Sequence, residues 1–368
     1  MPQTKLHELA DLGQSIWLDY INRGMIESGE LRNWIEQGLR GMTSNPSIFH
    51  KVISGGTDYD EKIARLKQEG KSTFEIYDEL TVADIQDAAD HFKPVHEQTG
   101  RLDGYVSLEI DPNLANDAAA SIKEGKRLWR KVGRPNVMIK VPATPAGFPV
   151  IEELLSDGIN VNVTLIFSLD QYTQTVEAYI RGLKRLAENG GDLSGVRSVA
   201  SVFVSRIDSA VDKLLEDNGI GSDLYGKAAV ANSRLVWEIS KEWFASRTFQ
   251  ELQKQGAAAQ RVLWGSTSTK NPAYKDVKYI EELIAESTVN TVPEPTLKAF
   301  LDHGVVAPAF QDGHREAEAV FQKLKQNNIR IEEVCRTLLD DGVTAFEEAF
   351  NALIASIEEK ADKLCGQA

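Results

Sequence analysis

The feature that most constrains the fold of this 368-residue chain is an alternation of short apolar runs with longer stretches of helical period. Eight runs have strand character: Ser15 to Ile21, Arg40 to Asn45, Gly104 to Ile110, Asn136 to Val141, Ile159 to Phe167, Arg197 to Val204, Arg261 to Thr267 and Ser287 to Val292. Most gaps between them carry a helix. The segment after Phe167 opens with Ser168 and Gln171 at capping-box spacing, sets Tyr172, Val176, Ile180 and Leu183 on one stripe, and stops at Gly190. A second helix is expected to start on Pro112, a residue tolerated in a first turn, and to stop at Gly133. Eight strands with intervening helices fit an α/β fold of the (β/α)₈ TIM barrel type; an open doubly wound sheet shows the same alternation, and counting alone does not separate them.

The connection from Val204 to Arg261 is the longest and has the period of two or three additional helices. Beyond Pro308 the chain becomes almost purely helical, in "HREAEAVFQKLKQN" and "GVTAFEEAFNALIASIEEKADKL". With no internal repeat and no Pro/Gly/Ser-rich linker, the expectation is one barrel domain over residues 1–368, with 309–368 a C-terminal helical extension packed on it.

Charge narrows the partners. The 55 acidic and 41 basic residues give a net charge of −14, which argues against general affinity for nucleic acid or an anionic membrane, so a phosphorylated ligand must meet a local positive cluster. Cys335 and Cys365 lack metal-ligand spacing and fit a reduced compartment. The N-terminal residues lack a signal-peptide core and no apolar run approaches the roughly 20 residues of a membrane span, so a soluble, cytoplasmic protein is expected. The sequence is compatible with a homo-oligomer and sets no copy number.

Strand parity carries the functional reading, because residues two apart share a face. In "INVNVTLIF", Asn160, Asn162 and Thr164 fall on one face, and Val161, Val163 and Leu165 on the other. A strand buried on both sides is normally aliphatic throughout, so the polar face should be the barrel interior. The same rule turns Met138 and Lys140 inward in "NVMIKV", and puts Ser107 and Glu109 together in "YVSLEI". Three successive strands thus converge Glu109, Lys140, Asn162 and Thr164 near their C-terminal ends, where barrel enzymes place their chemistry. A buried Glu109–Lys140 ion pair that merely fills the barrel is the plain alternative, but such pairs have modest net worth, and converging ionisable groups are commonly functional. Burial raises the neutral, nucleophilic fraction of a lysine, which suits addition of Lys140 to a substrate ketone as a Schiff base, with Glu109 supplying the acid directly or through a water oriented by Thr164.

With these residues in hand, the chain resembles the transaldolases, in the longer bacterial subfamily. The matching motifs are "MTSNPSIF" (Met42 to Phe49), "LEIDP" (Leu108 to Pro112), "IKVPAT" (Ile139 to Thr144), "GINVNVTLIFS" (Gly158 to Ser168), "SVFVSRID" (Ser201 to Asp208) and "STSTKNP" (Ser266 to Pro272). The resemblance implies a (β/α)₈ barrel, Lys140 as the Schiff-base lysine, and proton transfer by Glu109 with Thr164 and a water. It implies that Asp19 is the acid/base for carbon–carbon cleavage, and that Asn45 and Asn162 bind substrate hydroxyls. It further implies a phosphate pocket of Ser201, Arg206, Ser268 and Lys270, sugar phosphate substrates, and no metal or organic cofactor. Read without the family, Asp19 is a cap or turn residue, Asn45 an Asn-Pro turn initiator, and Arg206 an ion-pair partner for Asp208. Lys270 departs from the family pattern, in which many members carry a second arginine; lysine gives a compact charge without a bidentate fork.

The resemblance implies transfer of a dihydroxyacetone unit from sedoheptulose 7-phosphate to glyceraldehyde 3-phosphate, as in the non-oxidative pentose phosphate pathway. Two rivals stand beside it. One is a lyase with the same lysine that releases free dihydroxyacetone; the other is a non-catalytic barrel that binds sugar phosphates. The sequence shows no Walker A, HExxH or GxSxG motif, and its six histidines have no metal-ligand spacing.

Overall fold

The computed structural model describes residues 3–310 and 314–366; residues 311–313, 367 and 368 of the expected tail lie outside the described residues. All eight expected strands form, in chain order: β1 (Gln14–Asp19), β2 (Gly41–Thr43), β3 (Tyr105–Glu109), β4 (Val137–Pro142), β5 (Val161–Ile166), β6 (Ser198–Phe203), β7 (Arg261–Gly265) and β8 (Thr288–Val292). They are parallel, and β1 pairs with both β2 and β8, so the sheet has no edge and the open-sheet alternative falls. Among the described residues no helix is long and apolar enough to cross a membrane.

Local chemistry explains the helix boundaries. After β5, the Ser168 hydroxyl accepts from Gln171 N at 3.1 Å while Gln171 Oε1 accepts from Ser168 N at 3.2 Å, the reciprocal cap expected for the helix Leu169–Glu188. The segment beginning at Pro112 differs from expectation. Pro112–Leu114 is a single tight turn, and the α-helix proper is Ala118–Val132, ending at Gly133 with φ +58°. Two aspartates cause the break: Asp111 accepts from Asn113 N and Asp117 from Ala120 N, so each starts a turn of its own.

The barrel interior is layered. A middle layer of Trp17, Tyr105, Met138, Val199, Leu263 and Val289 fills it, and Gly41 leaves the room the indole needs, since a Cβ there would stand 2.6 Å from the Trp17 ring. Below it, at the strands' N-terminal ends, Arg261 pairs with Asp103; above it, the interior turns polar. The β6–β7 connection holds the helices Ser205–Asp217, Ala228–Ala245 and Arg247–Gln253.

The tail ends in a 36-residue helix, Ile331–Gly366, that runs across the mouth of the barrel. The Cys335 thiol donates to Phe167 O (3.4 Å), the Asn113 amide to Asn351 Oδ1 (3.2 Å), and Lys360 Nζ to Ile53 O (2.9 Å). Phe350 meets Tyr77 edge-on at 5.2 Å, and Ser356 bonds His50 at 3.1 Å. The helix is therefore tied to the segments that follow β2, β3 and β5.

One strand is irregular. The β5–β6 register shifts between Val163 and Ile166, and Leu165 takes φ +59°, a left-handed conformation rare outside glycine. Strict alternation therefore fails at Leu165. Its side chain lies against the C-terminal helix, where a Cβ at Gly342 would stand 3.0 Å from Leu165 Cδ2.

Candidate active site

The parallel register sets Glu109 beside Lys140 and Lys140 beside Asn162, with Thr164 opposite Pro142. Residues two apart on a strand share a face, so all four side chains turn to the interior, with Thr164 one step nearer the strands' C-terminal ends than the row of Glu109, Lys140 and Asn162. Lys140 Nζ lies 3.5 Å from Glu109 Oε2, and both side chains are about 6% exposed. At that separation the contact is an ion pair; the hydrogen bond of Lys140 goes to Ser44 O at 3.1 Å. Glu109 Oε2 and Thr164 Oγ1 are buried without a hydrogen-bond partner among the described residues. Burial pushes the Glu109 carboxyl up to about 7; the Lys140 charge pulls it down and the Asp19 charge raises it. A carboxyl poised there can give or take a proton at neutral pH.

Asp19 ends β1 and faces the same space. Desolvation raises its pKa against the Lys140 charge and a 2.8 Å hydrogen bond from Thr43 Oγ1. Thr43 in turn contacts the Thr291 hydroxyl at 2.7 Å, linking β1, β2 and β8. On the other side of Lys140, the Asn162 amide donates to Ser107 Oγ at 2.9 Å and its Oδ1 accepts from Ser201 Oγ at 2.6 Å. Ser201 thus sits inside the barrel orienting an amide. Asn45 caps the helix Pro46–Gly55, its Oδ1 accepting from Ile48 N at 3.0 Å, which leaves its amide N–H groups uncommitted by the cap.

The cations lie at the rim. Arg206, in the first turn of Ser205–Asp217, stacks over the Phe203 ring at 5.4 Å. Desolvation lowers its pKa, and Asp341 on the C-terminal helix acts in the opposite direction. Lys270 is exposed in the loop after β7; desolvation at the crowded mouth, and then the Arg206 charge, lower its pKa. Ser268 is half-buried in the same loop, and Ser205 N bonds Ser266 O at 3.1 Å, tying that loop to the Arg206 helix. Asp208 is not the partner of Arg206: it is buried and accepts from Ala229 N and Tyr279 Oη, each at 2.7 Å.

Some participants escaped sequence reasoning. The Ser44 carbonyl is a backbone group with no side-chain signature. Thr43 and Thr291 sit two short strands apart in the barrel order and far apart in sequence. Phe346, on the C-terminal helix, places its ring 5.9 Å from Lys140 Nζ, and nothing in a helical tail announces that contact.

Residues 16–357 match the family described as Transaldolase/Fructose-6-phosphate aldolase. The chain belongs to that family. It is 44% identical over 377 residues to a protein named Transaldolase from Trichodesmium erythraeum, covering 99% of both chains. It is 46% identical over 356 residues to Transaldolase 1 of Streptomyces avermitilis, covering 96% of this chain and 94% of that one. It is 44% identical over 362 residues to the Transaldolase of Saccharopolyspora erythraea, covering 98% of each. Its eight-stranded barrel is the fold expected of the transaldolase family.

Proposed function

We propose that the protein transfers a dihydroxyacetone unit from a ketose phosphate such as sedoheptulose 7-phosphate to glyceraldehyde 3-phosphate, giving erythrose 4-phosphate and fructose 6-phosphate. The observation that carries this reading is a buried lysine beside a carboxyl poised at about 7. The Lys140 amine adds to the donor ketone, and Glu109 protonates the departing hydroxyl, directly or through a water held with Thr164, to leave an iminium. Asp19 takes the proton of the hydroxyl on the far carbon of the bond to be broken, the carbon that becomes the departing aldehyde. The carbon–carbon bond then cleaves, its electrons pass to the iminium, and the aldose phosphate departs from a lysine-bound enamine. The enamine carbon attacks the acceptor aldehyde, Asp19 returns the proton to the new alkoxide, and water hydrolyses the imine.

Asn162, braced by Ser107 and Ser201, and the amide of Asn45 orient the hydroxyls of the dihydroxyacetone unit. Arg206 and Lys270, with Ser268, supply the local positive charge that a phosphate requires in a chain of net charge −14. Borohydride reduction in the presence of fructose 6-phosphate, followed by mass mapping, tests the covalent step: an adduct is expected on Lys140, and its absence defeats the Schiff-base mechanism. The family description spans an aldolase as well, so the second reading is release of free dihydroxyacetone. Comparing that release with transfer to an added aldose phosphate separates the two.

A further inference from the structure

One neighbour of Lys140 has no part in making or hydrolysing an imine. The Phe346 ring, 7% exposed, lies 5.9 Å from Nζ and is delivered by the C-terminal helix rather than by any barrel loop. It packs with Phe203 at 6.4 Å between centroids, and Phe203 packs with Phe167 at 5.4 Å, so an aromatic row extends from the ends of β5 and β6 to the lysine.

The helix is seated closely at this point. Gly342, one turn before Phe346 and on the same face, has no side chain; a Cβ there would come within 3.0 Å of Leu165 Cδ2 and 3.7 Å of Arg206 Nη1. The left-handed Leu165 and the register shift of β5 lie beneath it, a backbone feature that persists only when its surroundings hold it. Bonds from Cys335 and Asn351 fix the helix on either side of Phe346. The ring is thus held over the amine.

We infer that Phe346 keeps proton-donating water off the lysine-bound enamine and so sets the ratio of dihydroxyacetone transfer to dihydroxyacetone release. This rests on the Schiff-base reading above. After the carbon–carbon bond breaks, the enamine has two fates. Its nucleophilic carbon attacks an acceptor aldehyde, or it takes a proton; in the second case water adds to the resulting iminium carbon, the carbon–nitrogen bond breaks, and free dihydroxyacetone leaves the regenerated amine. An apolar ring over the adduct hinders protonation at carbon, while the water used for imine hydrolysis is handled by Glu109 and Thr164. Phe346 moves no proton itself and acts as a positioning residue.

The test compares wild type with Phe346→Ala, Phe346→Tyr and Phe346→Leu, using fructose 6-phosphate as donor. Release of free dihydroxyacetone is measured without acceptor, and transfer is measured with erythrose 4-phosphate. Phe346→Ala should raise the release-to-transfer ratio about tenfold. Phe346→Tyr, nearly isosteric but bearing a hydroxyl that holds water, should raise it too, whereas apolar Phe346→Leu should stay within about twofold of wild type. If the alanine variant does not fold, the tyrosine and leucine pair gives the same decision. Equal ratios in the folded variants, with both rates falling together, would make Phe346 a packing residue and overturn the inference. Failure of the underlying reading looks different: no borohydride adduct on Lys140 in wild type.

Discussion

At the N-terminal end of the barrel Arg261 Nη1 and Asp103 Oδ1 are 2.9 Å apart; at the C-terminal end Lys140 Nζ and Glu109 Oε2 are 3.5 Å apart, and both pairs are buried. The lower pair is saturated. Arg261 also donates to Leu102 O, Ser15 Oγ and Thr288 O, while Asp103 also accepts from Ser15 Oγ and Trp17 Nε1. The upper pair is not: Glu109 Oε2 and Thr164 Oγ1 have no hydrogen-bond partner among the described residues, and the carboxyl is pushed up to about 7. An unpartnered buried polar group costs about 1–3 kcal/mol. The same barrel therefore contains a plug and, on the reading proposed above, a reactive centre built from the same charge types, and what distinguishes them is the number of hydrogen bonds each charge is given.

Exchanging one partner at each end should break the comparison most visibly. Lys140→Met should lower turnover by about 10⁴-fold or more, the scale seen when a nucleophile is removed. Its stability at pH 6 should change by less than about 1 kcal/mol, because the Glu109 left behind takes up a proton and ceases to be a buried charge. Asp103→Leu should do the reverse. Arg261 cannot shed its charge, so an uncompensated buried guanidinium should cost about 3–5 kcal/mol in denaturant unfolding, while turnover per folded molecule is unchanged. Comparable destabilisation in the two variants would erase the distinction between plug and reactive centre.

Glu109→Gln sharpens the contrast through pH. The folded-state pKa of Glu109 is raised from its ordinary 4.5 to about 7, so the folded chain holds a proton there that the unfolded chain has lost. The stabilising contribution of Glu109 is fully present below pH 4.5 and is lost as pH rises through about 7. Asp19, also raised, acts in the same direction in both proteins. The unfolding free energy of wild type relative to Glu109→Gln should therefore fall by roughly 3 kcal/mol between pH 4 and 8. The same substitution should slow imine formation about 10²-fold, measured by single-turnover trapping. A flat stability difference would mean that the fold does not raise the Glu109 pKa.

The upper site was more legible in the sequence than the lower one for a physical reason. Glu109, Lys140, Asn162 and Thr164 lie on extended strands, where alternation depends only on local backbone, and three neighbouring strands turn them to a common interior face. Alternation failed where the backbone left that geometry, at Leu165, and the helix expected from Pro112 was displaced by two aspartate caps that propensity does not weigh. Asp103 precedes its strand and Arg261 begins its own, so neither belonged to an alternating polar face. Ser201 was grouped with the phosphate residues by the family resemblance, and its hydrogen bond to Asn162 is a tertiary fact. Phe346 depends on where a helical tail docks, and that is decided by the mouth it docks on.

The rim holds a third arrangement, two like charges. Arg206 and Lys270 repel each other enough that the Arg206 charge helps lower the lysine, although desolvation contributes more. On the proposed reading, a dianionic phosphate relieves that repulsion, so the pair gains on binding what it lacks when free. Lys270→Ala should raise KM for glyceraldehyde 3-phosphate about tenfold, near the worth of one charged hydrogen bond, and leave KM for unphosphorylated glyceraldehyde unchanged. Because Lys270 is exposed, the tenfold difference should shrink between 0.05 and 0.5 M salt, while the effects of the buried Glu109 should not. Lys270→Arg should restore or tighten binding by presenting a fork to the phosphate. An equal loss for phosphorylated and unphosphorylated acceptors would remove Lys270 from the phosphate site and leave Arg206, stacked on Phe203, to hold the ligand with Ser268.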